Sequence, residues 1–214
     1  MFLLTALAEG CATITDSKIG IFGHLEEKLK QNPEVFSQWR RLVDHLENEK
    51  NIEVGRVLWG HIILSVEHLR DRSLLEKARG VNDVVNAVEY GSDTSVWSED
   101  DYWATPLEFM MKKRRGDCED YAITKYLLLK ELGVEEDRLR IVSVSLADGR
   151  AHAVLVMYTD DDTLLLDNLS RNVISTEDKQ GYRPIMSINS FSIWTHSEEP
   201  YDVTIRTTSD PSFY

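Results

Sequence analysis

Cysteine is scarce in this chain of 214 residues, with Cys11 and Cys118 the only two. Two cysteines build no disulfide framework, and Cys11 lies so near an end of the chain that a bridge to Cys118 is not expected. There is no run of about 18 apolar residues, so no transmembrane helix is expected. Positive charge is also short. Lys and Arg number 24 against 37 Asp and Glu, for a net charge of -13 and a pI near 4.9. Phosphate binding needs a basic footprint, which argues against nucleic acid as a partner. The acidity is compatible with hard cations such as calcium, which want carboxylate oxygens, and simple solubility accounts for it equally well.

What is present is an ordinary globular composition, 42% apolar and 9% aromatic, without repeats or low-complexity tracts. The length suits one domain. The N-terminus, MFLLTALAEG, has a short apolar stretch and an Ala6-Leu7-Ala8 that resembles a cleavage site. It lacks a basic start and a full-length apolar region. We read residues 1–15 as the tail of a signal peptide or a disordered N-terminus, and 16–214 as a single domain, helical over about 20–90 with a catalytic core over about 91–200.

Asn32-Pro33 has the pattern of an N-cap with proline at the first helical position. Val35, Phe36, Trp39, Leu42, Val43 and Leu46 then recur at helical spacing. A second helix is expected over 55–70 and a third from Ser73 towards Tyr90. His61 and His68 stand two turns apart, about 10 Å, too far to share a metal. The stretch 91–102 is polar and irregular; Trp97 and Trp103 read as packing residues, with Trp103 also placed to line a cleft. From Asp117 to Leu132 a helix is expected, with Asp117 as cap, Asp120 completing a capping box, and Gly133 as the stop. Strands follow at 139–146, 151–159 and 164–169, with Asp160–Asp162 turning between the last two. Helices first and antiparallel strands after predict an α+β fold.

The chemistry concentrates in three places. Gly116-Asp117-Cys118-Glu119-Asp120 sets a cysteine at a helix N-terminus. There the macrodipole and free N–H groups favour an anion, so the thiol pKa should fall. A thiolate is a nucleophile, and the same N–H groups form half of an oxyanion hole. On its own, a cysteine at a helix start is as readily a small buried residue. His152 and Asp167 lie on neighbouring strands of a hairpin, on one face, within reach of a hydrogen bond. A carboxylate on one imidazole nitrogen orients the ring and leaves the other for the thiol. Asp117, Glu119 and Asp120 crowd negative charge around Cys118 and would raise its pKa unless a cation such as calcium neutralised them. Plain capping of the first turn is the other account of these acids. The basic run Lys112–Arg115 reads as a solvated helix end that is also placed to help hold a thiolate.

DYWATPLEFMMKKRRGDCEDYAITKYLLLKELGV, LRIVSV, AHAVLVMY and LLLDNLS, within residues 80–195, resemble the bacterial transglutaminase-like cysteine proteinases, among them the LapG-type periplasmic proteases. The resemblance implies a papain- or transglutaminase-like fold and a Cys-His-Asp triad of Cys118, His152 and Asp167. It also implies calcium dependence, with Asp117 and Glu119 as ligands and Asp120 as a third. The implied substrate is the N-terminal region of a large repeat-containing adhesin, cut in the periplasm to release biofilm. The implied inhibitor is an inner-membrane cyclic-di-GMP receptor. An acyl transferase of transglutaminase type, or a calcium-binding module without catalysis, are the competing readings.

Overall fold

The computed structural model describes residues 18–29 and 33–197. The N-terminal reading of residues 1–15, and Cys11 with it, lie outside the described residues. No helix among the described residues is long and apolar enough to cross a membrane.

The helices are α1 (Pro33–Asn51), α2 (Glu53–Val66), α3 (Leu74–Asn86), the short α4 (Asp93–Val96) and α5 (Cys118–Glu131). In α1, Trp39, Leu42 and Leu46 are buried, three and four residues apart as a helix with one apolar face requires. Ser73 caps α3, accepting from the Glu76 N–H at 3.3 Å, while Glu76 Oε2 accepts from the Ser73 N–H at 3.0 Å. This reciprocal pair fixes where the helix begins. Its buried residues Ala78, Val81 and Val85 pack towards α5. Every residue of α5 from Asp120 to Leu129 is buried, so it is the central helix, wrapped on all sides. Gly133 ends it at φ +80, a left-handed conformation that glycine adopts without strain.

The strands are β1 (Lys18–Ile19), β2 (Leu25–Leu29), β3 (Glu89–Tyr90), β4 (Arg115–Gly116), β5 (Leu139–Leu146), β6 (Ala151–Tyr158), β7 (Thr163–Leu166), β8 (Ile174–Ser175), β9 (Tyr182–Ile188) and β10 (Ile193–Ser197). Eight of them form one sheet in the order β1-β2-β10-β9-β5-β6-β7-β8, antiparallel at every pairing. Leu139, Ile141, Leu155, Met157, Leu164 and Leu166 face the helices. Val142, Val144, Val154, Val156 and Leu165 gather with Ile21 in a second core on the other face. The fold is the α+β arrangement expected.

The sheet is larger than the sequence suggested. Residues 18–29, expected to open a helical region, supply β1 and β2, and β9 and β10 were not anticipated. LEEKL in β2 has no alternation of its own; its pairing with β10, more than 160 residues away, sets its conformation. A π-helical turn over Leu107–Lys113 was likewise unmarked. The small parallel pair of β3 and β4 matters most for the site. It aligns Tyr90 with Gly116, and the Gly91 N–H donates to the Gly116 carbonyl at 2.8 Å. The chain entering α4 is thereby held beside the chain entering α5.

Candidate functional site

Cys118 is the first residue of α5 and is half-buried. Gly116 lies so close to the helix start that a Cβ there would run into the Asp120 carboxylate and the Phe109 ring. The Asp117 N–H donates to Asp120 Oδ2 at 3.3 Å, the expected capping contact. Cys118 Sγ donates to Glu119 Oε2 at 3.0 Å and accepts from the Ala153 N–H. The nucleophile candidate therefore rests on the peptide that follows His152.

On β6, His152 shares a face with Val154 and Val156, and it is only 6% exposed. His152 Nε2 bonds Asp167 Oδ1 at 2.9 Å. The residues share the face and the hydrogen bond that the hairpin predicted, because Leu155 pairs with Leu166 across the strands. Nε2 being engaged, Nδ1 is the nitrogen left for a partner. Asp167, 1% exposed, also accepts from the Leu169 N–H on Oδ1 at 2.9 Å and from the Tyr182 hydroxyl on Oδ2 at 2.6 Å. Burial alone would raise this carboxyl, but the bonds from His152, Tyr182 and Leu169 outweigh it and hold Asp167 below the usual carboxylate range. Asn86 Nδ2 holds the backbone by donating to the Asp167 carbonyl at 2.8 Å.

The thiol is shifted the other way. Burial, reinforced by the Glu119 carboxylate that accepts its hydrogen bond and by Asp117, pushes Cys118 far above the ordinary thiol range, against the Ala153 N–H. Desolvation and two adjacent acids here outweigh the dipole, and the acids act on the thiol in the direction expected of them when no cation neutralises them.

The acids make a cluster that includes one residue not foreseen. Asp93, Asp117 and Asp120 bring carboxylate oxygens within 4.8 Å of one another, and on the adjoining side an Asp117 oxygen, a Glu119 oxygen and the Cys118 sulfur lie within the same distance of one another. Asp93 Oδ2 accepts from the Tyr102 N–H at 2.6 Å, and Asp120 Oδ1 from the Ala104 N–H at 2.8 Å. Asp93 Oδ1 and Asp117 Oδ1 are buried with no partner among the described residues. Burial first, and then the Glu119 charge, raise the Asp117 carboxyl to about 8. Burial, with the charges of Asp93 and Glu119, raises Asp120 to about 7, and Asp93 is raised by burial too. Clustered carboxylates with buried oxygens that have no hydrogen-bond partner among the described residues fit a hard divalent ion, which wants oxygen ligands and the charge they carry. His45, Glu49 and Glu108 also approach one another. There Lys112, Thr105 and Tyr102 already satisfy the carboxylates.

Three residues of the basic run are engaged elsewhere than at the sulfur. Lys112 pairs with Glu49, Lys113 stands 4.9 Å over the Trp97 ring, and Arg115 pairs with Glu89. His61 and His68 are exposed. Trp97 and Trp103 pack against the main core. Asp93 and Tyr182 were not singled out from the sequence. Asp93 sits in a polar stretch whose only cue was its acidity, and Tyr182 has no motif around it.

Comparisons with known proteins agree with one another. Residues 64–199 match the model of a family described as bacterial transglutaminase-like cysteine proteinase. A calcium-bound structure of LapG from Legionella pneumophila aligns at 27% identity over 75% of this chain and 92% of that one, with a TM-score of 0.58. An EGTA-treated structure of the same protein aligns at 30% identity over 72% and 84%, with a TM-score of 0.57. No curated protein matches the chain.

Proposed function

The chain belongs to the bacterial transglutaminase-like cysteine proteinase family, and from that premise we propose that it is a calcium-dependent cysteine endopeptidase using Cys118, His152 and Asp167. The observation that carries this reading is the buried His152–Asp167 bond of 2.9 Å, with the Cys118 sulfur resting on the peptide that follows His152. In the proposed reaction the thiolate attacks a peptide carbonyl and the thiol proton resides on His152. The imidazolium passes that proton to the leaving amine, and water hydrolyses the thioester, returning the thiol. Asp167 keeps the ring oriented throughout. The N–H groups at the start of α5 stabilise the oxyanion.

Asp93, Asp117, Glu119 and Asp120 are the residues placed to hold calcium. The bound ion would supply the counter-charge that these acids lack. Glu119 links the two sites, since the carboxylate that accepts the thiol's hydrogen bond is also one of the acids grouped around Asp117. A cation held by these acids would supply positive charge beside Glu119 and weaken its hold on the thiol hydrogen, leaving the sulfur to the imidazole. The calcium-bound relative supports this assignment.

By family resemblance, the substrate is the N-terminal region of a large repeat-containing surface adhesin, cut in the periplasm to control biofilm release. An inner-membrane cyclic-di-GMP receptor is the inhibitor. The test incubates the protein and Cys118→Ala with adhesin N-terminal fragments, with calcium or with chelator. Cleavage by the unaltered, calcium-loaded protein alone is the expected result. Cleavage by Cys118→Ala would end the proposal. Incorporation of a labelled amine into a glutamine peptide would move the assignment to acyl transfer.

A further inference from the structure

Tyr182 touches both halves of the base assembly. It opens β9, paired with Leu146 of β5. The preceding Gly181 stands at φ +79, a left-handed turn, with its open side against Ala147. That turn delivers the phenol to the site: its hydroxyl donates to Asp167 Oδ2 at 2.6 Å, and its ring meets the His152 ring edge-on, centroids 6.0 Å apart at 79°. Phe22 packs on the same ring at 5.9 Å, and Lys179 Nζ stands 4.3 Å over its face.

The division of labour on the carboxylate is the key. Oδ1 serves His152 and the Leu169 N–H, so among the described residues only the phenol bonds Oδ2 and stops the group rotating about its own bond. A phenol donor at this distance also draws negative charge towards Oδ2 and away from the oxygen that faces the imidazole. We infer that Tyr182 is a positioning residue for the proposed peptidase reaction, acting through Asp167 to fix the His152 ring and to limit how strongly the carboxylate stabilises the imidazolium. This rests on the triad assignment above and adds a residue to it.

The test follows the His152 ring signals by NMR through a pH titration of the calcium-loaded full chain, for the unaltered protein and for Tyr182→Phe. Losing the donor makes Asp167 a stronger partner for the imidazolium, so the His152 midpoint should rise by roughly half a pH unit. Replacing Tyr182 with 3-fluorotyrosine keeps the shape and strengthens the donor, and should move the midpoint down. That substitution decides the matter even where Tyr182→Phe folds poorly. Midpoints that do not move, or that move together in one direction, would overturn the role of Tyr182. The triad itself is read separately in the unaltered protein. If alkylating Cys118 with iodoacetamide leaves the His152 titration unmoved, the peptidase reading fails whatever Tyr182 does.

Discussion

The two sides of the candidate site are built on opposite principles. Around His152 and Asp167 every carboxylate oxygen has a partner, and the buried acid is held below its usual range. Around Cys118, four acids crowd together, two buried oxygens have no partner, and Asp117 and Asp120 are driven up to about 8 and about 7. The first side is complete within the chain: hydrogen bonds have replaced the water that burial removed. The second keeps its carboxylates ionised only with an added charge, since buried like charges otherwise take up protons. On the proposed reading, the base assembly is preorganised and the nucleophile is conditional.

The largest effect should come from removing the sulfur itself. Cys118→Ala is expected to lower cleavage of an adhesin fragment by roughly a thousandfold or more, as losing a covalent nucleophile does, with an unchanged circular dichroism spectrum. Chelation comes next and separates the two sides. It should suppress activity and lower the melting temperature by roughly 5–10 °C, the shift given by losing a ligand held well above its dissociation constant. The same melting temperature with and without chelator would contradict the assignment of the acids. Asp93→Asn is milder: the calcium needed for half-maximal activity should rise by about tenfold. The His152 titration should stay put, because Asp93 belongs to the other side; a change there would break the division.

The smallest effect lies outside both sides and serves as a control. His196 on β10 bonds Ser187 at 2.9 Å, and its burial, opposed by Glu26, holds it down to about 4. A histidine whose folded pKa is below its unfolded value, near 6.5, takes up fewer protons folded than unfolded. Its contribution is therefore intact above that value and is lost as pH falls from about 6.5 towards about 4. His196→Gln should flatten the drop in melting temperature between pH 7 and pH 5, equally with calcium and with chelator. A flattening seen only with calcium would tie β10 to the metal side.

Much of this was legible in the residues. Asp117 and Gly133 mark the ends of α5, and β5 and the hairpin turn at Asp160–Asp162 fall where local chemistry placed them. The hairpin register was enough to bring His152 to Asp167. Asp93 was not legible, because its approach to Asp117 depends on the parallel pairing of Glu89–Tyr90 with Arg115–Gly116. Tyr182 reaches Asp167 only because β9 pairs with β5 across a long connection. The acids that raise the Cys118 thiol were legible, but its burial, the largest cause of the shift, was not, because it comes from packing.

The conditional nucleophile can be read without any substrate, as the rate at which iodoacetamide alkylates Cys118 near neutral pH, with calcium and then with chelator. The account predicts labelling faster than a free thiol when calcium is present, and slower labelling after chelation or in His152→Ala. Labelling no faster than a free thiol under either condition would contradict it.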